Sequence, residues 1–148
     1  MKNDNKGFSL IELIVVIAIM AILVGVMAPN VLKYVEQSRV AADTQVIETV
    51  RTAVITSLLD PSETIQAAAP TAAFTDKDIT TNDAKINGTD AFSVAVQGIM
   101  GGSPSDVAGK LKSKAYKGQA ILLSVTPATG QVTVKVKGNN GEPDLKVE

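Results

Sequence analysis

The chain is predicted to be an α+β protein. One long N-terminal α-helix, about residues 8–59 and kinked near Gly25–Pro29, packs by its C-terminal half against a small antiparallel sheet with short helices. Three observations predict this. A nearly continuous apolar run from Phe8 to Leu32 passes into a pattern of helical period. A later stretch, Gln131 to Lys137, alternates strictly between valines and polar residues. Between them lie short segments bounded by capping residues, prolines and paired glycines.

The first element begins after seven polar residues that carry Lys2 and Lys6 against Asp4. From Leu13 to Leu32 no side chain is charged. As a helix that run spans ~30 Å, the thickness of a bilayer's hydrocarbon core. Leaving it in water would cost on the order of 20–30 kcal/mol, at roughly 1.5–3 kcal/mol for each large side chain. It must sit in lipid or against other copies of itself. The lysines precede it, so the positive-inside rule places the N-terminus in the cytoplasm and the remainder outside. A cleaved secretory signal fits poorly. Its apolar region is usually ~7–15 residues long, and the best small-x-small site here, Val26-Met27-Ala28, runs into Pro29.

Pro29 has no N–H to give the carbonyl of Gly25, and glycine is itself a weak helix former. A loosened turn is expected across Gly25–Pro29, with the helix resuming beyond it. Leu32, Val35, Ala42, Val46, Val50, Val54 and Leu58 then make one apolar face, with Lys33, Glu36, Arg39, Asp43, Glu48 and Arg51 on the remainder. Asp60-Pro61 stops the helix. Ala18, Ala21, Gly25 and Ala28 recur every three or four residues, a spacing that lets helix backbones approach closely in apolar surroundings. The same residues are also ordinary fillers of a helix.

Beyond the long helix, Ser62 to Ala69 reads as a short helix capped by Ser62. Thr75 to Asp90 reads as a polar surface loop with one extended piece near Ile79. Asp90 caps a helix from Ala91 to Met100 that presents Phe92, Val96, Ile99 and Met100 inward and ends at Gly101-Gly102. Pro104 to Lys112 reads as a further short helix with Val107 and Leu111 inward. Gln119–Thr126 and Gln131–Lys137 form a hairpin around Pro127-Ala128-Thr129-Gly130, and Leu145–Val147 adds an edge strand after a turn at Gly138–Gly141. The apolar face of this sheet finds its partner in the amphipathic half of the long helix.

Composition excludes several function classes. Net charge is −1, which gives no electrostatic basis for nucleic-acid binding. Cysteine and histidine are absent, which removes disulfides, thiolate chemistry, imidazole acid–base work and the usual zinc sites. No nucleophile–base pair or phosphate loop is visible, so the chain does not read as an enzyme and no cofactor is implied. Asp76, Asp78, Asp83 and Asp90 match no EF-hand spacing and read as a solvated loop. Asn87-Gly88-Thr89 fits a glycosylation sequon, a match that arises readily by chance.

Glu12 is the ill-placed residue. Ser9-x-x-Glu12 matches a capping box, and an acid near the headgroups is tolerated cheaply. A carboxylate taken into hydrocarbon or a packed helical core needs a cation, and none lies between Glu12 and Lys33. A cut after Gly7 would create one, because Phe8 would then carry a new α-amino group that a neighbour's Glu12 can meet.

Lys6-Gly7-Phe8-Ser9-Leu10-Ile11-Glu12, followed by an apolar run containing Pro29, resembles the N-terminus of type IV pilins and the related pseudopilins. The resemblance is close over about residues 5–35 and holds in pattern only over 36–59. It implies residues 1–7 as a leader peptide, 8–32 as a transmembrane and filament-core helix, and 33–148 as a globular head. It implies cleavage after Gly7 by the prepilin peptidase, a membrane aspartyl protease, and N-methylation at Phe8. It assigns Glu12 to docking of incoming subunits and Gly25 and Pro29 to loosening of the assembled helix. The implied partners are further copies of the chain, minor pilins, an assembly platform with its ATPase motors, and membrane lipid before assembly. The implied destination is an extracellular pilus, with adhesion and twitching motility among its roles. A pseudopilin of a type II secretion or DNA-uptake system, or a membrane-anchored binding domain that never polymerises, are the alternatives. The chain departs from many pilins in having no cysteine with which to close a C-terminal loop.

Overall fold

A computed structural model describes residues 8–148. Gly7, Lys2, Lys6 and Asp4 lie outside the described residues. The chain divides into two compact units at Glu36/Gln37. Helix α1, Leu10–Leu58, supplies most of the first unit and the opening of the second. It continues unbroken through Gly25 and Pro29.

The second unit holds the core. Helix α2 (Glu63–Ala68) is followed by strand β1 (Phe74–Asp78), a 3₁₀ turn (Asn82–Ala84), helices α3 (Ala91–Met100) and α4 (Pro104–Ala108), and strands β2 (Ile121–Thr126), β3 (Gln131–Val136) and β4 (Leu145–Val147). The sheet order is β1-β2-β3-β4, antiparallel throughout. The predicted hairpin forms in the expected sense, with Ile121, Leu123 and Val125 facing Val136, Val134 and Val132 across the β2–β3 pair. All six are buried. They close on Ile47, Val50, Ala53 and Val54 of α1 and on Phe92 and Val96 of α3. Arg51 reaches from α1 to the sheet, its Nε donating to the Val132 carbonyl at 3.2 Å.

Several local expectations are corrected. Val50 and Val54 of the expected face of α1 are buried and Val46 and Leu58 pack against the core, but the buried set also takes in Asp43, Ile47, Ala53 and Ser57, while Ala42 is exposed. Counting aliphatics alone missed part of this set, because its real members include a carboxylate and a hydroxyl. Asp43 is fully buried. It accepts from the Lys112 and Ser113 N–H groups at 2.8 and 3.0 Å and from the Ser113 hydroxyl at 2.5 Å. Three donors replace the water that burial removed. The carboxylate thereby fixes the segment after α4 against α1.

Ser62 precedes α2 but makes no side-chain cap bond; its hydroxyl meets that of Thr64 instead. Thr75–Asp90 is not simply a surface loop. It contributes all of β1 after Phe74 and buries Ile79, Ala84 and Ile86 completely. On α3 the buried set is Phe92, Ser93, Val96 and Met100, and Ile99 is 44% exposed. Ser93 goes inward because its hydroxyl is satisfied by the Asp90 carboxylate at 2.7 Å. Asp90 caps α3 as predicted, accepting from the Ser93 N–H at 3.0 Å, and Gly101 ends the helix at φ 71°. Helix α4 is shorter than predicted and opens on a full capping box between Ser103 and Asp106.

Candidate assembly and processing site

The N-terminal segment is apolar, helical and uncovered. Its most apolar 18 residues have a mean hydropathy of 3.0, and no part of that window is buried. Phe8 is 94% exposed, and large side chains from Leu10 to Leu32 stay between half and three-quarters exposed. A water-facing surface of this kind is unstable alone, so lipid or protein must cover it.

Glu12 lies in the first turn of α1. Its Oε2 accepts from the Ser9 N–H at 2.8 Å. This is one half of a capping box, and it satisfies one of the donors that a helix start leaves without a partner. Phe8, Ile11, Glu12, Val15 and Val16 line one open, mostly apolar surface at the start of α1. Phe8, the residue expected to carry the new amine, is thus a near neighbour of Glu12 along one chain. Gly7 lies outside the described residues, so the structure places only the Phe8 side of the expected cleavage junction.

Gly25 has open space where a Cβ would stand. The Asn30 side chain donates to the Val26 carbonyl at 3.4 Å, one residue beyond the Gly25 carbonyl that Pro29 cannot serve. Val24, Met27, Ala28, Val31 and Leu32 make an apolar surface beside it.

The four aspartates weighed for calcium are dispersed. Asp76 pairs with Lys135 at 2.6 Å and Asp83 with Lys77 at 3.7 Å. Asp78 accepts from both the N–H and the hydroxyl of Thr80, and Asp90 caps α3. Among the described residues, no group of His, Cys, Asp or Glu side chains is placed to hold a metal ion. Sequence reasoning missed Asp43, whose donors lie 69 and 70 residues away.

Comparison with known proteins agrees with the N-terminal pattern and extends past it. A family model described as the prokaryotic N-terminal methylation motif matches residues 2–28. The type IV major fimbrial protein FimA of Dichelobacter nodosus is 41% identical over 63 residues, which cover 43% of this chain and 40% of that protein. A fimbrial protein of Pseudomonas aeruginosa is 30% identical over 123 residues, 81% of this chain and 79% of its relative. No match was found among solved structures. An alignment of 123 residues is too long for the apolar helix alone and must run through most of the head. The N-terminal motif, the long helix joined to a four-stranded antiparallel sheet, and a relative matched over four-fifths of the chain place this protein in the type IV pilin family.

Proposed function

We propose that this pilin is stored in the membrane through residues 8–32, cut after Gly7, N-methylated at Phe8, and polymerised through its N-terminal helix into an extracellular filament. In that filament residues 33–148 form the outward head. The reading is carried by the uncovered apolar surface from Phe8 to Leu32, which needs lipid before assembly and other helices after it. Removal of the leader changes the balance between those two environments. Among the described residues, Glu12 accepts from the Ser9 N–H. The processed chain offers its neighbours an α-ammonium at Phe8, and an ion pair between Glu12 and that group sets the axial register of adjacent subunits. Ala18, Ala21, Gly25 and Ala28 give the close approach that packed helices use. The Gly25 carbonyl, without the Pro29 N–H, is where the helix loosens as subunits pack.

The partners this requires are a prepilin peptidase, an assembly platform with its motors, minor pilins and further copies of the chain. The test is Gly7→Trp expressed in the native host. Full-length precursor should accumulate in the membrane and sheared fibres should vanish. Normal processing of that variant would overturn the assignment of the junction.

A further inference from the structure

The sheet carries a polar concavity of about 310 Å³, outside the N-terminal segment to which assembly is assigned above. It lies on the sheet face opposite the core, where Ser124 of β2 and Thr133 and Lys135 of β3 alternate with buried valines and leucines. Lys146 of β4 closes one side.

Asp76 is brought into this concavity by an irregularity in β1. Phe74 pairs with Val125 and Lys77 with Leu123, so Thr75 and Asp76 together stand opposite Ser124. Such a bulge re-aims the side chain it carries. Asp76 adopts φ 53°, a left-handed conformation that aspartate tolerates at some cost. Its carboxylate receives the Lys135 ammonium at 2.6 Å and the Ser124 hydroxyl at 3.3 Å, while its own N–H donates to Ser124 Oγ at 2.9 Å. The Lys135 hydrogen bond holds the Asp76 carboxyl below the ordinary value, so Asp76 is anionic at neutral pH.

This arrangement has capacity to spare. A carboxylate offers about four acceptor positions, and Lys135 and Ser124 use one each. Lys135 retains donors beyond the one it gives Asp76. The hydroxyls of Thr75 and Thr133 and the amide of Gln131 have no partner within the chain among the described residues. Lys146 contacts Glu148, but both are about half exposed, and such a pair is readily exchanged. The lining therefore holds two ammonium groups, one carboxylate, and hydroxyls that donate and accept. None of its residues is aromatic, so neither a stacked base nor an apolar ligand is served.

A polyhydroxylated ligand that also bears a carboxylate matches this set. We infer that the concavity is a binding site for an acidic saccharide, its ring hydroxyls taken by Asp76 and the threonines and its carboxylate by Lys135 and Lys146. Hydrogen bonding without stacking makes each site weak, and an array of sites along a fibre would raise the avidity.

The test uses the full chain in phosphatidylcholine nanodiscs, one copy per disc, so that it does not depend on filament formation. Fluorescein-labelled trigalacturonate is the probe, read by polarisation. Maltotriose supplies hydroxyls without carboxylates, and triglutamate supplies carboxylates without the ring hydroxyls. Trigalacturonate should bind, and both competitors should need at least about tenfold higher concentrations to displace it, the loss expected for one charge-assisted hydrogen bond. Asp76→Asn and Lys146→Gln should each weaken binding by about the same factor. Lys146 takes no part in the bulge, so Lys146→Gln decides the matter if Asp76→Asn disturbs the fold. Absent binding, displacement by triglutamate or maltotriose as effective as by unlabelled trigalacturonate, or unchanged binding by a folded Lys146→Gln chain would each overturn the site.

Discussion

Replacing Asp43 with alanine removes an acceptor from three donors at once. The residue is fully buried, and its carboxylate takes the N–H groups of Lys112 and Ser113 and the Ser113 hydroxyl. Alanine leaves two backbone N–H groups and a hydroxyl facing a small void. A hydrogen bond to a charged group contributes ~1.5–3 kcal/mol, and a buried donor left without an acceptor costs ~1–3 kcal/mol. Partial wetting of the void offsets part of this, so a loss of ~3–5 kcal/mol is expected, near the upper range for breaking a buried charged contact. A domain of this size is stable by only ~5–15 kcal/mol. Asp43→Ala should therefore bring the head close to its unfolding threshold while leaving the apolar segment intact. Urea unfolding of the full chain in detergent micelles, followed by amide hydrogen exchange at residues 112 and 113, measures both the size and the place of the effect. Ser113→Ala is the internal standard. It removes the hydroxyl bond alone and should cost ~1 kcal/mol. An Asp43→Ala chain within ~1 kcal/mol of wild type, or no worse than Ser113→Ala, would refute the assignment of Asp43 as the contact that holds this segment.

Three further outcomes are expected. Glu12→Val should be processed and fail to assemble, whereas Glu12→Gln separates the two tasks of this residue. Glutamine still accepts from the Ser9 N–H but carries no charge, so sheared-fibre yields as low as for valine indicate pairing with a neighbour's amine, and wild-type yields indicate a helix cap alone. Asp90→Ala should cost the head ~1–2 kcal/mol in a thermal or urea melt, because it uncaps α3 and leaves the inward Ser93 hydroxyl only the longer contact to the Lys85 carbonyl at 3.2 Å. Acid should destabilise the head below about pH 4 and not above it. Asp76 is held low by Lys135 and Asp106 by the Ser103 hydroxyl; for Asp90, burial pulls upward but the Ser93 bonds prevail. A depressed carboxyl contributes stability that is present above its unfolded-state value and is lost as pH falls through the folded one. Melting temperatures that rise between pH 5 and pH 3 would contradict this.

The parts of the fold readable in the sequence are those with a local period. The apolar run from Phe8 and the alternation at Val132, Val134 and Val136 need no knowledge of distant residues, and both appear where expected. Asp90 before Ala91 is equally local. What escaped was set by tertiary context. An aspartate on an amphipathic helix reads as solvent-facing, and nothing near residue 43 announces donors at 112 and 113. An extended piece near Ile79 was legible, but the full extent of strand β1 escaped because Thr75-Asp76-Lys77-Asp78 is polar and its bulge breaks the alternation on which recognition of a strand depends. Ile79 and Ile86 are isolated among polar neighbours, yet the core closes over both. Around the assembly segment, the Ser9–Glu12 contact spans three residues and was legible for that reason.

In the proposed function, this chain leaves the membrane as a processed subunit and becomes the body of a fibre. Mass spectrometry of the N-terminal peptide from sheared surface fibres tests it most directly. The fibres should consist mostly of this chain, each copy beginning at Phe8 and heavier by one methyl group. A chain confined to the membrane fraction and still beginning at Met1 would contradict it.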